Sequence, residues 1–383
     1  MCRTFSYQLE ISSVKMFFSI SKKKQKNYTF SYKLGNTFLN LDAGWTKFDL
    51  GHKQLFFKGY VLGEKITKLI PKLANDPTPK AKGNFCCVVS DGKKLILTHD
   101  VHRSFPLYLH KDQITNLRIG EFIGSNVYLT IQNKFEIKKN RFRNYSISKE
   151  QITYKHGLKL IHKHLTKTFS SFIKNNSLPI KIFISGGVDT VLAYSYLKKL
   201  GAKFDVFKTE CKRPTKFFTK NRKLIEKFWA YKQIHNWQES SVLVTGSCGD
   251  EYMMRNPHTI KTFFDYYGID IGKKINLNKH CYHYKYFNRP ENIKVLKSKR
   301  QSIKNIYLTK MEIFKNMAND HQHWHLDNTL YFTPFKDLQL ADLVLQLPKD
   351  QLLQQALDAK LSKDLIALNN ENDLKLLSKY KNH

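Results

Sequence analysis

The pattern of apolar and polar positions divides the chain into two parts. In residues 1–145, short apolar or alternating runs are separated by Gly, Asn and Asp, which is typical of strands joined by turns. One amphipathic segment, 63–76, predicts a helix with a break near Pro71, because proline lacks the N–H that a helix interior uses. The predicted strands are 17–21, 37–41, 53–62, 84–91, 94–100 and 127–131.

After Ser146 the pattern changes to helices that alternate with strands. Residues 148–176 have apolar positions at helical spacing, and residues 302–383 are predicted to be mostly helical. Alternation at this scale indicates a parallel sheet covered by helices. We therefore expect two domains, 1–145 and 146–383. The elements predicted between the two helical regions are strand 180–185, helix 189–200, strand 204–209, helix 219–236 and strand 241–246.

The composition narrows the class of protein. A chain of 383 residues is long enough for two domains. No apolar run approaches the roughly 18 residues of a membrane span, and the N-terminus lacks the residue order of a secretory signal. The cysteines form no CxxC pair, which favours reduced thiols in a cytoplasmic protein over disulfides or zinc. The six cysteines are Cys2, Cys86, Cys87, Cys211, Cys248 and Cys281.

The net charge of +34 raises the question of an anionic partner. Most of the basic residues are lysines spread along the whole chain, and lysine lacks the bidentate fork with which arginine reads phosphates and base edges. This spread favours a compositional bias, with a nucleic-acid partner as the lesser alternative. The sequence predicts no oligomeric state.

The stretch IFISGGVDT, residues 182–190, joins a predicted strand to a helix that starts near Val188. Ligands bind at the carboxyl ends of parallel strands, and two glycines let backbone N–H groups approach an anion. The helix N-terminus adds positive potential, and the hydroxyls of Ser185 and Thr190 can donate to phosphate oxygens. An acid here, Asp189, indicates a Mg²⁺ ion between the carboxylate and the phosphates. The alternative is a tight turn that Asp189 caps.

A second predicted strand leads into Gly246-Ser-Cys-Gly and then into the acids Asp250 and Glu251. Because neighbouring parallel strands end at the same edge, this acid pair can complete a metal shell opposite Asp189. The alternative is a helix start, since acids favour helix N-termini.

Together these two stretches resemble the asparagine synthetase family, and the first resembles the pyrophosphate-binding loop of ATP pyrophosphatases. The family carries SGGxDS and then a strand followed by G[DE]GxDE. Gly246, Asp250 and Glu251 match, whereas Ser247 replaces an acid. Residues 330–348 resemble the family's RVPFLD segment. The matches there are Pro334, Phe335 and Asp337, with Phe332 at the arginine position.

This resemblance implies a parallel-sheet adenine nucleotide α-hydrolase-like (PP-loop) domain that uses ATP and Mg²⁺. The catalytic residues that it implies are Asp189, Asp250, Glu251 and Lys360, with Lys363 as a second choice for the lysine. The nucleotide-binding residues that it implies are Ser185, Gly186, Gly187, Val188, Asp189, Thr190 and Gly246, and the metal ligands are Asp189 and Asp250.

The N-terminal half resembles the glutaminase domain of the same family. The resemblance lies in a hairpin, 83–110, whose matching residues are Gly83, Phe85, Asp91, Asp100, Pro106, Leu107 and Tyr108. It implies a class II glutamine amidotransferase-like domain with the αββα layers of an Ntn-hydrolase.

Several glutaminase residues of that domain are replaced, so we expect a degenerate, inactive glutaminase. The nucleophile position holds Cys2, but Arg3 follows it where the family has glycine. Lys58 replaces the asparagine of the oxyanion pair, although Gly59 remains. The family's substrate-binding arginine pair is replaced by Lys53-Gln54.

The sequence thus predicts an ATP-dependent ligase that adenylates a small-molecule carboxylate and forms an amide with ammonia or another amine. One alternative is a PP-loop enzyme that modifies tRNA, with Cys211 and Cys248 as its candidate cysteines. Another is a non-catalytic scaffold, which the altered Ser247 and the Met253-Met254-Arg255 segment favour.

Overall fold

The computed structural model describes residues 18–26, 28–42, 45–78, 80–100, 107–115, 121–123, 127–141, 150–184, 186–208, 241–246, 248–255 and 329–377. These residues form a mixed α/β fold with two antiparallel sheets and one parallel sheet. The predicted helix 219–236 and the domain boundary near 145 lie outside the described residues, and the boundary stays a prediction.

Six antiparallel strands form the first sheet, in the order β10-β8-β9-β1-β3-β2. The apolar side chains of its central strands, such as Phe18, Ile20 and Leu39, are fully buried. Its strands are β1 (Phe18–Ser21), β2 (Phe30–Leu34), β3 (Thr37–Leu41), β8 (Tyr108–His110), β9 (Gln113–Thr115) and β10 (Glu121–Phe122).

The second sheet has the order β12-β11-β7-β6-β5-β4. Its strand β6 is buried on both faces: Cys86 and Val88 join the core between the two sheets, and Phe85 and Cys87 face a separate apolar cluster. Its strands are β4 (Thr46–Leu50), β5 (Lys53–Leu62), β6 (Lys82–Ser90), β7 (Lys94–His99), β11 (Val127–Gln132) and β12 (Ile137–Arg141).

The outer face of the second sheet is covered by α1 (Ile66–Asn75), which packs Leu69 and Leu73 onto it. The break predicted near Pro71 is wrong, because the helix continues through that residue. Pro71 and Thr67, whose carbonyl loses its i+4 donor, both lie on the exposed side of the helix. Water can bond the orphaned carbonyl there, so the helix is not forced to end.

The C-terminal half contains a parallel sheet of order β14-β13-β15-β16. The described part of the region predicted to be mostly helical, residues 329–377, is mostly helical and also contributes one strand, β16, which the sequence did not predict. The strands are β13 (Ile180–Ile184), β14 (Asp205–Lys208), β15 (Ser241–Val244) and β16 (Thr329–Phe332). The helices are α2 (Tyr154–Asn175), α3 (Val188–Lys199), α4 (Gly249–Tyr252), α5 (Leu338–Leu345), α6 (Lys349–Asp358) and α7 (Lys360–Asn370), followed by a 3₁₀ turn at Glu371–Leu376.

The two halves are joined by buried polar contacts. The Tyr60 hydroxyl and the Asn84 side-chain amide both donate to the Tyr331 carbonyl, at 2.8 Å and 2.7 Å. Asp337 accepts from Lys82 of β6 at 2.6 Å and lies 3.0 Å from the imidazole of His164 on α2. The second sheet therefore packs on α2 and β16. In the described part of the chain, no helix is both long and apolar enough to cross a membrane.

Candidate functional site

The candidate site lies at the carboxyl ends of β13 and β15. Strand β13 pairs with β14 on one side and with β15 on the other, so the chain order reverses between β13 and β15. In open parallel sheets, the crevice at such a reversal is where ligands bind. The loop after each of these two strands carries the residues that the sequence singled out.

After β13, the chain turns sharply into α3. Gly186 has φ of +73°, a left-handed conformation that glycine adopts without steric strain. Gly187 is the N-cap residue of α3, and Val188 is buried in the core beneath the turn. Asp189 lies in the first turn, where the helix dipole favours a negative charge. Ser185 lies outside the described residues.

Two glycines of the β15 loop pack directly against the first turn of α3. A Cβ at Gly246 would lie 2.8 Å from the Thr190 nitrogen, and a Cβ at Gly249 would lie 2.2 Å from the Asp189 Cγ. Both positions therefore need glycine for close approach of the two loops. Ser247, between them, lies outside the described residues.

A single guanidinium joins the acids of the two loops. The Arg255 Nη2 donates to Asp189 Oδ2 at 2.5 Å and also to Asp250 Oδ1. The side chains of Arg255 and Asp189 are 9% and 14% exposed, whereas Asp250 is 53% exposed and opens the cluster toward solvent. Asp189 and Asp250 thus lie close together, as the sequence predicts, but the Arg255 side chain lies between them.

Burial shifts the protonation of the acids at this site. Desolvation raises the pKa of Asp189 to about 7, with the Arg255 charge opposing the shift and Asp250 adding to it. Desolvation also raises the pKa of Glu251 to about 8, and Asp250 again adds to the shift. Glu251 is therefore mostly protonated at neutral pH.

The backbone around Arg255 is held in place by buried contacts. Met254 has φ of +61°, which is uncommon for a residue with a side chain. Its neighbour Met253 accepts a hydrogen bond from the Gln355 amide at 2.8 Å, and Gln355 is fully buried. The Gln355 amide also donates to the Ser362 hydroxyl, and its carbonyl accepts from the Ser362 backbone N–H.

Arg255 lies at the position between Asp189 and Asp250 that the sequence predicts for Mg²⁺. Mg²⁺ favours carboxylate oxygens with water and substrate phosphates. One oxygen of each acid, Asp189 Oδ2 and Asp250 Oδ1, is already bonded to Arg255. In the described ranges, no group of three His, Cys, Asp or Glu side chains is placed to hold a metal. The residues as placed do not fit a resident ion, and the ligand assignment stays a prediction.

Two other predicted residues have local partners. The Thr190 hydroxyl donates to the Gly187 carbonyl at 2.8 Å. Lys360, at the start of α7, bonds Asp364 at 2.5 Å, and its ammonium lies 4.4 Å from the centre of the Tyr154 ring. The described contacts of Lys360 include none with Asp189 or Asp250, so its role at a leaving pyrophosphate stays a prediction.

In the N-terminal half, the Lys58 ammonium bonds both carboxylate oxygens of Asp42, at 2.9 Å and 3.1 Å. Burial lowers the pKa of Lys58 and raises that of Asp42. Lys53 donates to the Ala74 carbonyl in the last turn of α1. Position 59 requires glycine for steric reasons, since a Cβ at Gly59 would lie 1.9 Å from the backbone carbonyl oxygen of Asn84. Cys2 lies outside the described residues.

Comparison with known proteins assigns this chain to no family. No protein-family model matches the chain, and no curated protein does. Glutamine phosphoribosylpyrophosphate (PRPP) amidotransferase from B. subtilis, complexed with ADP and GMP, is similar with a TM-score of 0.21 and 12% identity, over 59% of this chain and 63% of that one. A structure described as the allosteric regulatory enzyme of purine biosynthesis has a TM-score of 0.20 and 12% identity, over 54% and 60%.

This chain therefore spans less than two thirds of either neighbour. At these TM-scores the two likenesses establish neither the fold nor the activity of this chain.

The structure brings into the site two residues to which the sequence assigned no role there, Gly249 and Arg255. A role for Gly249 was predictable, because it follows Gly246 in the stretch that the sequence predicts to bind a ligand. Arg255 carried none, because only the left-handed turn at Met254 directs it back toward Asp189. A turn of this kind is not predictable from a methionine.

Proposed function

We propose that the crevice between β13 and β15 binds the phosphates of ATP and that the protein is an asparagine-synthetase-like, amide-forming ligase. The observation that carries this proposal is the packing of two glycine-containing loops at the sheet reversal. That packing places the Gly186-Gly187 turn, the N-terminus of α3 and Asp189 on one side, with Asp250 on the other.

In this proposal the substrate carboxylate attacks the α-phosphorus of ATP, and the bond to pyrophosphate breaks. Ammonia or another amine then attacks the carbonyl carbon of the acyl adenylate, and AMP leaves with the bonding electrons. The turn and the helix N-terminus bind and orient the phosphates, since the reaction needs positioning and charge neutralisation more than covalent help. Mg²⁺ enters with ATP as part of the substrate.

The nitrogen source in this proposal is free, not released from glutamine. Lys58, at the place of the family's oxyanion asparagine, is paired with Asp42, and Lys53, at the place of a substrate-binding arginine, bonds helix α1. These contacts support a glutaminase-like half that serves as a packing partner.

The tRNA-modification alternative has less support. Cys248 is buried, and burial raises the pKa of its thiol, with Glu251 adding to the shift. A thiol of that kind is a poor nucleophile at neutral pH. Cys211 lies outside the described residues.

The test is ATP-dependent release of pyrophosphate with a panel of carboxylates plus ammonium. Wild type should release pyrophosphate with at least one acid, and Asp189→Ala should not. The control is Asp205→Ala, which removes an exposed carboxylate from the opposite end of the same sheet. Equal background from wild type and Asp189→Ala with every acid would contradict the ligase proposal and favour the scaffold.

A further inference from the structure

The positive charge between Asp189 and Asp250 belongs to the chain itself. One nitrogen of Arg255 bonds both acids, and a second cation between the same oxygens would have to displace the guanidinium or accept its repulsion. We propose that Arg255 is the resident cation of this crevice and excludes a divalent metal ion from the position between Asp189 and Asp250.

The surroundings of Arg255 indicate a built position and not a surface contact made by chance. Its side chain is 9% exposed, and the turn that carries it is left-handed at Met254. Met253 and Met254 are fully buried, and Gln355 fixes the Met253 carbonyl from a different helix. The backbone therefore directs the guanidinium at Asp189 before any ligand binds.

The packing around Asp189 also favours a counter-charge built into the crevice. It is packed against Gly246 and Gly249, and its buried Oδ1 has no hydrogen-bond partner among the described residues. A buried carboxylate without a counter-charge is costly. Arg255 supplies that counter-charge on Oδ2, so the structure already contains what a metal would otherwise provide.

The consequence for substrate recognition rests on the function proposed above. Guanidinium groups bind phosphate oxygens well, because several N–H donors lie in one plane. Arg255 would then link the two acids and contribute to phosphate binding, while any Mg²⁺ arrives on the nucleotide. The crevice would select a polyphosphate without a preloaded ion.

The test measures Mn²⁺ binding to the full chain without nucleotide, by electron paramagnetic resonance and calorimetry. Any Mn²⁺ binding that wild type shows should be unchanged in Asp189→Asn. Arg255→Gln should bind Mn²⁺ about tenfold or more tightly than wild type, because two carboxylates are released. Adding Asp189→Asn to Arg255→Gln should remove the gain.

The matched control is Lys198→Gln, which removes a cation from another pair with a buried acid, Lys198 and Asp373 at 2.8 Å. This variant should gain no Mn²⁺ binding. Near-ultraviolet circular dichroism checks that each variant is folded.

Two results would overturn the inference. One is Mn²⁺ binding by wild type that Asp189→Asn weakens about tenfold or more, and this arm needs no Arg255 variant to fold. The other is a folded Arg255→Gln protein with no gain. If Arg255→Gln does not fold, Arg255→Lys takes its place, and it should gain Mn²⁺ binding to a smaller extent because lysine lacks the fork.

An ATP-binding titration separates this inference from the proposed function. Failure of ATP to bind with or without Mg²⁺, together with the expected Mn²⁺ results, would contradict the nucleotide site and leave the place of Arg255 intact. ATP binding by a wild type that also holds Mn²⁺ through Asp189 would contradict only the resident cation.

Discussion

Asp42 in the N-terminal half and Asp189 in the C-terminal half are both paired with a basic side chain, yet their surroundings differ. In the Asp42–Lys58 pair, one ammonium bonds both oxygens of one carboxylate, and the Trp45 side chain also bonds that carboxylate. Arg255 instead links Asp189 to Asp250, which is 53% exposed, beside a glycine turn and a helix N-terminus. A buried ion pair can therefore be a stabilising contact or part of a ligand site, depending on whether the neighbouring backbone offers groups that bind a ligand.

Breaking the contact between the two halves gives the largest expected effect, because Asp337 bonds Lys82 of the N-terminal half and His164 of the C-terminal half. Asp337→Ala should lower the free energy of unfolding by about 4 kcal/mol, since it removes the bond from Lys82, the contact with His164 and the cap on Gln339. Urea denaturation measures this loss. The exposed acid Asp358 is the control, and Asp358→Ala should change stability by less than about 0.5 kcal/mol. Equal stability of the two variants would contradict the packing role.

Breaking the Asp42–Lys58 pair should have the next largest effect. Lys58→Met should destabilise the protein by about 3 kcal/mol, because it leaves the Asp42 carboxylate buried without its partner. Adding Asp42→Leu should restore stability to within about 1 kcal/mol of wild type, and ATP affinity should be unchanged in both variants. A double variant no more stable than Lys58→Met, or one that no longer binds ATP, would contradict a purely structural role for the Asp42–Lys58 pair.

Close packing of glycines distinguishes the Asp189–Asp250 site from the Asp42–Lys58 pair. Gly249→Ala should cost about 2 kcal/mol and weaken ATP binding, because its Cβ would overlap the Asp189 carboxylate. Gly201→Ala is the control. Gly201 has φ of +66°, so an added Cβ should lower the stability of the fold by about 1 kcal/mol. No atom lies within 4 Å of that Cβ, so ATP affinity should be unchanged. Normal ATP affinity in a folded Gly249→Ala protein would argue against the crevice as the site.

Protonation of Glu251 gives the smallest effect. Its pKa is near 4.3 in an unfolded chain and about 8 in the fold, so ionisation opposes folding increasingly as the pH rises between those values. Glu251→Gln, which stays neutral, should therefore gain about 1 kcal/mol relative to wild type on going from about pH 5 to about pH 6. Denaturation at the two pH values measures the difference. An advantage that is constant or shrinks with rising pH would contradict the buried, protonated state.

The sequence predicted the longer interior strands well and missed the three-residue strands and the edge strands of the two antiparallel sheets. The predictions for β3 and β5 match their bounds, and those for β1, β6, β7 and β11 lie within two residues. The missed strands are β8 and β9, of three residues each, and the edge strands β2, β4, β10 and β12. An edge strand such as Thr46–Leu50 has few buried side chains, so its sequence lacks the alternating apolar signal.

The candidate site shows the same limit. The glycine turn and the start of α3 were predictable, because Gly-Gly-x-Asp after an apolar strand has a local backbone meaning. The link from Arg255 to Asp189 was not, since it joins residues on two loops through a strained turn and a buried glutamine on α6. Contacts of that kind depend on tertiary packing and leave no periodic pattern.

The most direct test of the central claim is equilibrium binding of ATP to the full chain, compared among wild type, Asp189→Ala and Asp205→Ala. The crevice between β13 and β15 predicts saturable binding by wild type and Asp205→Ala, and affinity weakened about tenfold or more in Asp189→Ala. Equal ATP affinity in all three proteins, or saturable binding in none, would contradict a nucleotide site at this reversal of the sheet.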